Sequence, residues 1–284
     1  MHPLPSQPAI DARQAPRRKT QGRLKFFRLV SSLCTLFGGR RFYRAMFLAP
    51  GRFLVRDELI EVPNLPAGLE GFSIAQLSDL HSGCFLGEGD LRHVIARVNE
   101  MQVDMVALTG DFITERVEEA WELCADLGAL KSRYGSFAVL GNHDYRERRE
   151  GELVERYAAL GIRFLRNAGH RIETPDGCLH LTGLEDLEEG KHIDVHAARS
   201  EMQAGDLEVL LCHHPAGGER LSRAGCVLAL SGHTHGRQID LPILRNLGPH
   251  HPGLRLQHGP TTTLVNRGLG VIGVPLRYKS PAEV

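Results

Sequence analysis

Five short apolar runs in this 284-residue chain each break off into Asp, His or Asn: SIAQLSDLH from Ser73, DMVALTGD from Asp104, FAVLGNHD from Phe137, VLLCHH from Val209 and VLALSGHTH from Val227. Apolar runs of this length, bounded by turn residues, fit strands buried on both faces. In an open α/β sheet, ligands collect in the crevice at the carboxyl ends of such strands. At that end of five runs the chain places Asp79, His81, Asp111, Asn142, His143, His213, His233 and His235. A single Gly-Asp is ordinarily a turn, and a single buried His ordinarily a hydrogen-bonded core residue. Five such endings in one chain point instead to a metal-centred hydrolase site.

The donors are oxygen and nitrogen, too many for one four-coordinate zinc, and no paired CxxC spacing offers a structural thiolate site. Such a set suits two divalent ions with open coordination: Mn, Fe or Zn. In two-ion sites a carboxylate bridges ions about 3.5–4 Å apart, and coordinated water deprotonates near neutral pH to become the nucleophile. The ions also offset charge building on phosphoryl oxygens, so phosphate esters are the expected substrates.

Asp79-Leu80-His81, Gly110-Asp111, Gly141-Asn142-His143-Asp144, His213 and Gly232-His233-Thr234-His235 together resemble the calcineurin-like metallophosphoesterase signature, from about residue 62 to the C-terminus. The resemblance implies that Asp79, His81 and His235 hold one ion, that Asp111 bridges, and that Asn142, His213 and His233 hold the other. It also implies that His143 lies outside the ligand set, donating to the scissile phosphate or protonating the leaving oxygen, with Asp144 orienting it. An imidazole of ordinary pKa about 6.5 suits that task. Of the adjacent pair His213 and His214, strand alternation turns only one into the site; the family pattern selects His213, and His214 is expected in the loop. Cys84 and Cys212 are expected to be small buried hydrophobes.

Arg237 stands in Gly236-Arg237-Gln238, where similar proteins carry Gly. Its guanidinium either clamps a second phosphate, joining Asn142 in substrate binding, or pairs with the acidic body. Arg267 and Arg277, near the C-terminus, either brace the site or face substrate, with bracing expected.

A chain of this length with motifs over most of it implies one catalytic domain, residues 51–284, preceded by an extra segment, residues 1–50. Six cysteines at irregular positions show no disulfide framework. Zero net charge conceals an asymmetry: residues 1–56 hold twelve Arg or Lys against one acid, Asp11, and the remainder holds 22 against 33. The acidic body argues against nucleic acid as substrate, since such binders carry a basic stripe.

Residues 1–21, rich in Pro, Gln and Arg, have a disordered composition. Phe26, Leu29, Val30, Leu33, Leu36 and Phe37 then recur at helical spacing among Arg28, Arg40, Arg41 and Arg44. The uncharged stretch 29–39 falls short of the roughly 20 apolar residues a spanning helix needs. Residues 22–48 therefore read as an amphipathic helix docked on an anionic membrane surface. The alternatives are a helix packed on the catalytic domain or a partner, and an export signal starting at Arg17-Arg18, which lacks the apolar continuation and cleavage site of such signals.

The pattern predicts an edge strand over 53–62, then strands over 72–78, 105–109 and 137–140 alternating with helices over 89–101 and 118–130. A further helix over 149–160 leads to strands over 162–165, 178–183, 208–212, 226–230 and 262–266. The first half is parallel. Together the halves suggest two packed sheets with helices outside, and the resemblance implies a four-layer α/β/β/α sandwich of two mixed sheets.

The reading is a bimetallic phosphoesterase acting on a phosphodiester or pyrophosphate at the cytoplasmic face of a membrane. The resemblance points to the membrane-associated bacterial branch that includes UDP-2,3-diacylglucosamine pyrophosphatases of lipid A synthesis. A cytosolic, broad-specificity nucleotide phosphodiesterase is the alternative enzyme. A silent metal-binding membrane scaffold is disfavoured by His143, which a ligand cage does not need.

Overall fold

A computed structural model describes residues 21–222, 225–244 and 248–284, with side chains from residue 29 onward. Residues 1–20, and with them the expected disordered stretch and the Arg17-Arg18 pair, lie outside the described residues. Two helices, α1 (Gln21–Leu36) and α2 (Gly39–Tyr43), lead through a π turn (Arg44–Leu48) into the catalytic body.

Four strands, β1 (Ile74–Leu77), β2 (Met105–Leu108), β3 (Ser136–Ala138) and β4 (Ile162–Phe164), form one sheet in sequential order. Every pairing is parallel, with Ile74 opposite Met105 and Val106 opposite Ser136. This sheet is thus purely parallel rather than mixed, because each strand returns through a crossover: α3 (Arg92–Glu100) after β1, the short α4 (Cys124–Leu127) after β2 and α5 (Glu150–Ala158) after β3.

The second sheet is mixed. Its members are β5 (Ala168–Thr174), β6 (Gly177–Gly183), β7 (Leu207–Leu211), β8 (Cys226–Ser231), β9 (Arg255–His258) and β10 (Thr261–Val265), in the order β5-β6-β7-β8-β10-β9. The four inner strands run parallel, and β5 and β9 are antiparallel edges. Helices α6 (Val195–Ala198) and α7 (Ala216–Leu221) cover its outer face.

Alternation along the strands builds the layers. Met105 and Ala107 of β2 meet Leu181, Val209, Leu211 and Leu230 between the sheets. Val106 and Leu108 point the other way, onto Val94, Ile95 and Val98 of α3. Leu210 and Ala229 close the fourth layer against Ala198 and Leu221. With both faces covered, all four residues of β2 are buried, which is why its sequence is apolar throughout.

Three expectations differ. Residues 53–62 form no ladder beyond a bridge from Leu54 to Glu283; Glu58 is instead drawn into ion pairs with Arg56 and Arg255, and Pro63 follows. The helix expected over 118–130 is a 3-10 turn (Val117–Leu123) followed by α4, and the side chain of Glu119 within that turn reaches back to accept from the backbone N–H groups of Thr114 and Glu115. Edge strands β5 and β9 were not predicted, since AGHRIET and RLQH lack a clean apolar face.

The N-terminal segment divides at Gly38, whose φ is +81°. Before it, Leu29, Leu33, Leu36 and Phe37 are exposed, Leu36 by 77% and Phe37 by 84%. After it, Tyr43 and Leu48 are fully buried in the first-sheet core, and Arg40 binds Asp90 at 2.7 Å. The expected boundary at residue 50 therefore lies beyond ten residues that pack with the catalytic body.

Candidate active site

The expected ligands converge at the carboxyl ends of both sheets. Asp79 and His81 follow β1, Asp111 follows β2, Asn142 and His143 follow β3, His213 follows β7, and His233 and His235 follow β8. Three of these strands, β1, β2 and β8, turn sharply there: φ is +49° at Asp79, +46° at His81, +56° at Asp111, +70° at His233 and +50° at His235. Non-glycine residues rarely adopt this left-handed conformation, which collects at functional sites held by surrounding structure. The neighbouring glycines serve close approach: a Cβ on Gly232 would collide with Ser78 and Asp79, and one on Gly141 with Asp111.

Asp79, His81 and His235 bring one ligand atom each within 4.8 Å of one another, and so do Asp79, Asp111 and His213. The two oxygens of Asp111 divide their work. Oδ1 accepts from His143 N at 2.8 Å, while Oδ2 lies 3.4 Å from His81 Nε2 and 3.3 Å from His213 Nε2. One carboxylate oxygen thus faces a histidine of each ion's expected set. On the far side, His233 Nδ1 faces Asn142 Oδ1 at 3.0 Å.

Hydrogen bonds of the outer partners prepare these atoms. His213 Nδ1 donates to Thr109 O at 2.7 Å, which leaves Nε2 as the atom turned to the ions, and that buried nitrogen makes no hydrogen bond. Ser78 Oγ donates to Asp79 at 2.7 Å, and His233 N donates to the same carboxylate. Burial raises Asp79 to about 6 and lowers His81 to about 4. Burial also works against charge on Asp111, yet the facing imidazoles of His213 and His143 hold it well below the usual carboxylate range. An orphaned buried imidazole nitrogen beside two buried carboxylates is an environment that a cation completes, and the donor set fits two divalent ions.

His143 is buried beside this cluster, its ring 4.6 Å from that of His81. Asp144 does not orient it. The Asp144 carboxylate accepts instead from the backbone N–H groups of Asp111, Phe112, Ile113 and Gly141 and so holds the Asp111 loop. The His143 ring is set by Nδ1 donating to Thr114 O at 2.9 Å, and its Nε2 accepts from Arg146 at 3.0 Å. Arg146 was not singled out in the sequence; its spacing of three from His143 is the signal that could have found it. Arg237 pairs with Asp240 at 3.1 Å, the ion-pair alternative to the phosphate clamp. His214, expected in the loop, accepts from Ala216 N at 3.1 Å with its ring 4.8 Å from that of His233, and it brings a ligand atom within 4.8 Å of those of His233 and Glu188. Cys212 is a fully buried free thiol, raised by burial to about 12.

Comparison with known proteins agrees with this geometry. The sequence profile of the calcineurin-like phosphoesterases matches residues 72–237. Over 267 residues the chain is 30% identical to the metallophosphoesterase YkuE of Bacillus subtilis, covering 91% of this chain and 92% of that one. It is 32% identical over 243 residues to a transmembrane protein with metallophosphoesterase domain from Danio rerio, covering 81% of this chain but only 56% of that relative. Among solved structures, the NAD nucleotidase NadN of Haemophilus influenzae superposes with a TM-score of 0.50 at 17% identity, over 69% of this chain and 45% of that one, a likeness of fold alone. The chain belongs to the calcineurin-like phosphoesterase family and is a metal-dependent phosphoric ester hydrolase built around a two-ion centre.

Proposed function

We propose that this hydrolase cleaves a phosphodiester or pyrophosphate in a lipid-linked substrate at a membrane surface, with UDP-2,3-diacylglucosamine as the representative compound. The observation that carries the reading is the exposed apolar face of α1, which ends in Leu36 and Phe37 beside Arg40 and Arg41. Ser31, on the opposite side of the helix, donates from Oγ to Gly273 O at 2.9 Å, so α1 lies next to the closing loop that exposes Ile272, Leu276 and Tyr278 and turns its apolar face outward. Gln238, three residues after His235, holds the same loop through Ile272 and Val274. Apolar surface flanked by arginine favours anionic bilayers. Among the described residues, no helix is long and apolar enough to cross a membrane.

Asp79, His81, Asp111, Asn142, His213, His233 and His235 would hold the ions, which when bound supply positive charge to phosphoryl oxygens and acidify water. The remaining work falls to the chain itself. His143, neutral at rest, has Nδ1 held by Thr114 O; once Arg146 turns from Nε2 toward a phosphoryl oxygen of the entering substrate, Nε2 takes a proton from solvent and passes it to the leaving oxygen. Arg237, held by Asp240, contributes through the local field rather than as a bidentate clamp.

The test is an activity panel on metal-reconstituted protein with a lipid-linked UDP sugar, bis-p-nitrophenyl phosphate and phosphomonoesters, with and without anionic vesicles. Preference for the lipid-linked pyrophosphate, enhanced by vesicles, is the expected result. Equal turnover of small nucleotide diesters without vesicle dependence would establish the soluble phosphodiesterase instead.

A further inference from the structure

We infer that Arg277 and Tyr43 are positioning residues for one ion set, that of Asp79, His81 and His235, acting through the backbone of residues 268–280. The inference rests on the two-ion reading above.

Asp79 and His235 both sit in the left-handed region, so their side-chain directions depend on what holds their backbones. The closing segment holds both without contributing a ligand. Gly270 N donates to Asp79 O at 2.8 Å, and Leu269 N donates to Ser78 O at 3.1 Å. Gly268, with φ +77°, approaches so closely that a Cβ there would lie 2.6 Å from Asp79 Cβ. At the other end of the segment, Ser280 Oγ donates to His235 O at 2.5 Å.

Arg277 ties this segment into one piece. It is 5% exposed. Its Nε donates to Tyr43 Oη at 2.9 Å, Nη1 to Arg267 O at 3.0 Å and Ser280 O at 3.2 Å, and Nη2 to Gly270 O at 2.5 Å. Tyr43 Oη passes the connection on, donating to Leu269 O at 2.6 Å. Among the described residues, every hydrogen bond from this buried cation ends on a neutral oxygen. Burying a charge without a counter-ion is costly, and only a planar fork of five donors satisfies four acceptors at once. Gly270 and Ser280, which touch the Asp79 and His235 backbones, are bound at their carbonyls by this fork, and Leu269, which touches Ser78, is bound at its carbonyl by Tyr43.

Tyr43 belongs to α2, so the ten residues after Gly38 form part of the metal site's support, while α1 lies outside it.

The experiment is a stepwise Mn²⁺ titration of the full chain by calorimetry, with His235→Ala and His213→Ala marking which equivalent belongs to which set. Tyr43→Phe and Arg277→Met are expected to weaken the equivalent lost in His235→Ala by about tenfold or more, the usual effect of removing an outer partner of a ligand, and to leave the other within twofold. Arg277→Lys, with its charge retained but its fork lost, should not restore it. Tyr43→Phe removes one hydroxyl and keeps the packing, so it reports even if Arg277→Met fails to fold. Unchanged affinities in folded variants, or equal weakening of both equivalents in step with a lower metal-free melting temperature, would overturn the inference. Wild-type protein that takes up no ions would overturn the two-ion reading itself and this inference with it.

Discussion

His81 Nε2 and His235 Nε2 face each other at 3.0 Å, and both rings leave a buried Nδ1 without a hydrogen bond. Two neutral imidazoles opposed in this way share at most one proton. A cation placed against Asp79 serves both lone pairs.

The first prediction follows from that pair and from Asp111 Oδ2, which faces His81 on one side and His213 on the other. Asp111→Asn should lower bound metal from two equivalents to one or none and abolish hydrolysis. Elemental analysis is the measurement. Full occupancy in the variant would contradict the bridging role.

His143→Ala should retain both ions, because the ring contributes no hydrogen bond to Asp79, His213 or His235. Turnover of substrates with poor leaving groups should fall by about 10²–10⁴-fold, with much smaller loss on activated aryl esters. Steady-state kinetics on paired alkyl and aryl diesters decides the point; loss of metal would remove the proton-donor role.

Acidification should erode the stability that each buried, neutral imidazole gives the chelated protein. Burial pushes His81, His143, His233 and His235 below the ordinary imidazole value, His81 to about 4. Unfolded, each takes a proton near about 6.5. Each therefore contributes stability that is present above that pH and lost as pH falls toward its folded value. Asp79, raised by burial to about 6, and His213, raised well above its ordinary value because the facing Asp111 outweighs burial, act in the opposite sense. Asp144, raised by burial to about 8, and Asp186, raised by burial to about 6, join them, so the sign is tested one imidazole at a time. The melting-temperature advantage of the chelated wild type over His233→Gln should shrink between pH 7.5 and 4, and an advantage that grows would refute this accounting.

Replacing Leu33, Leu36 and Phe37 with Ser should reduce sedimentation with anionic vesicles while leaving turnover of a soluble aryl diester unchanged, since all three side chains are exposed. Deletion of residues 1–37 should behave likewise. Deletion of residues 1–50, by contrast, removes the buried Tyr43 and Leu48 and should lower the melting temperature. If the Ser variant and wild type co-sediment equally, membrane docking through α1 is wrong.

The convergence of the expected ligands was legible because each of these Asp, Asn and His residues follows a strand whose burial leaves an apolar run. The parallel strands were legible for the same reason. The edges were not, since β9 alternates between half-exposed and exposed positions and residues 53–62 trade a ladder for ion pairs around Glu58. The support of the site was the least visible. Asp144 lies next to His143 in sequence yet serves the Asp111 backbone, and Tyr43 reaches Leu269 across 226 positions, a distance that no local pattern encodes.

Asp79, His81, Asp111 and Asn142 come from the first sheet, while His213, His233 and His235 come from the second. Neither half of the chain can therefore bind both ions alone. During synthesis, the early strands can pair as they emerge, but the complete centre waits until residue 235 has been made and the sheets have docked, and the closing segment to Ser280 comes later still. With the ions held by these residues, metal acquisition would be one of the last events in the maturation of this molecule, and the appearance of bound metal in a refolding reaction would time the meeting of its two halves.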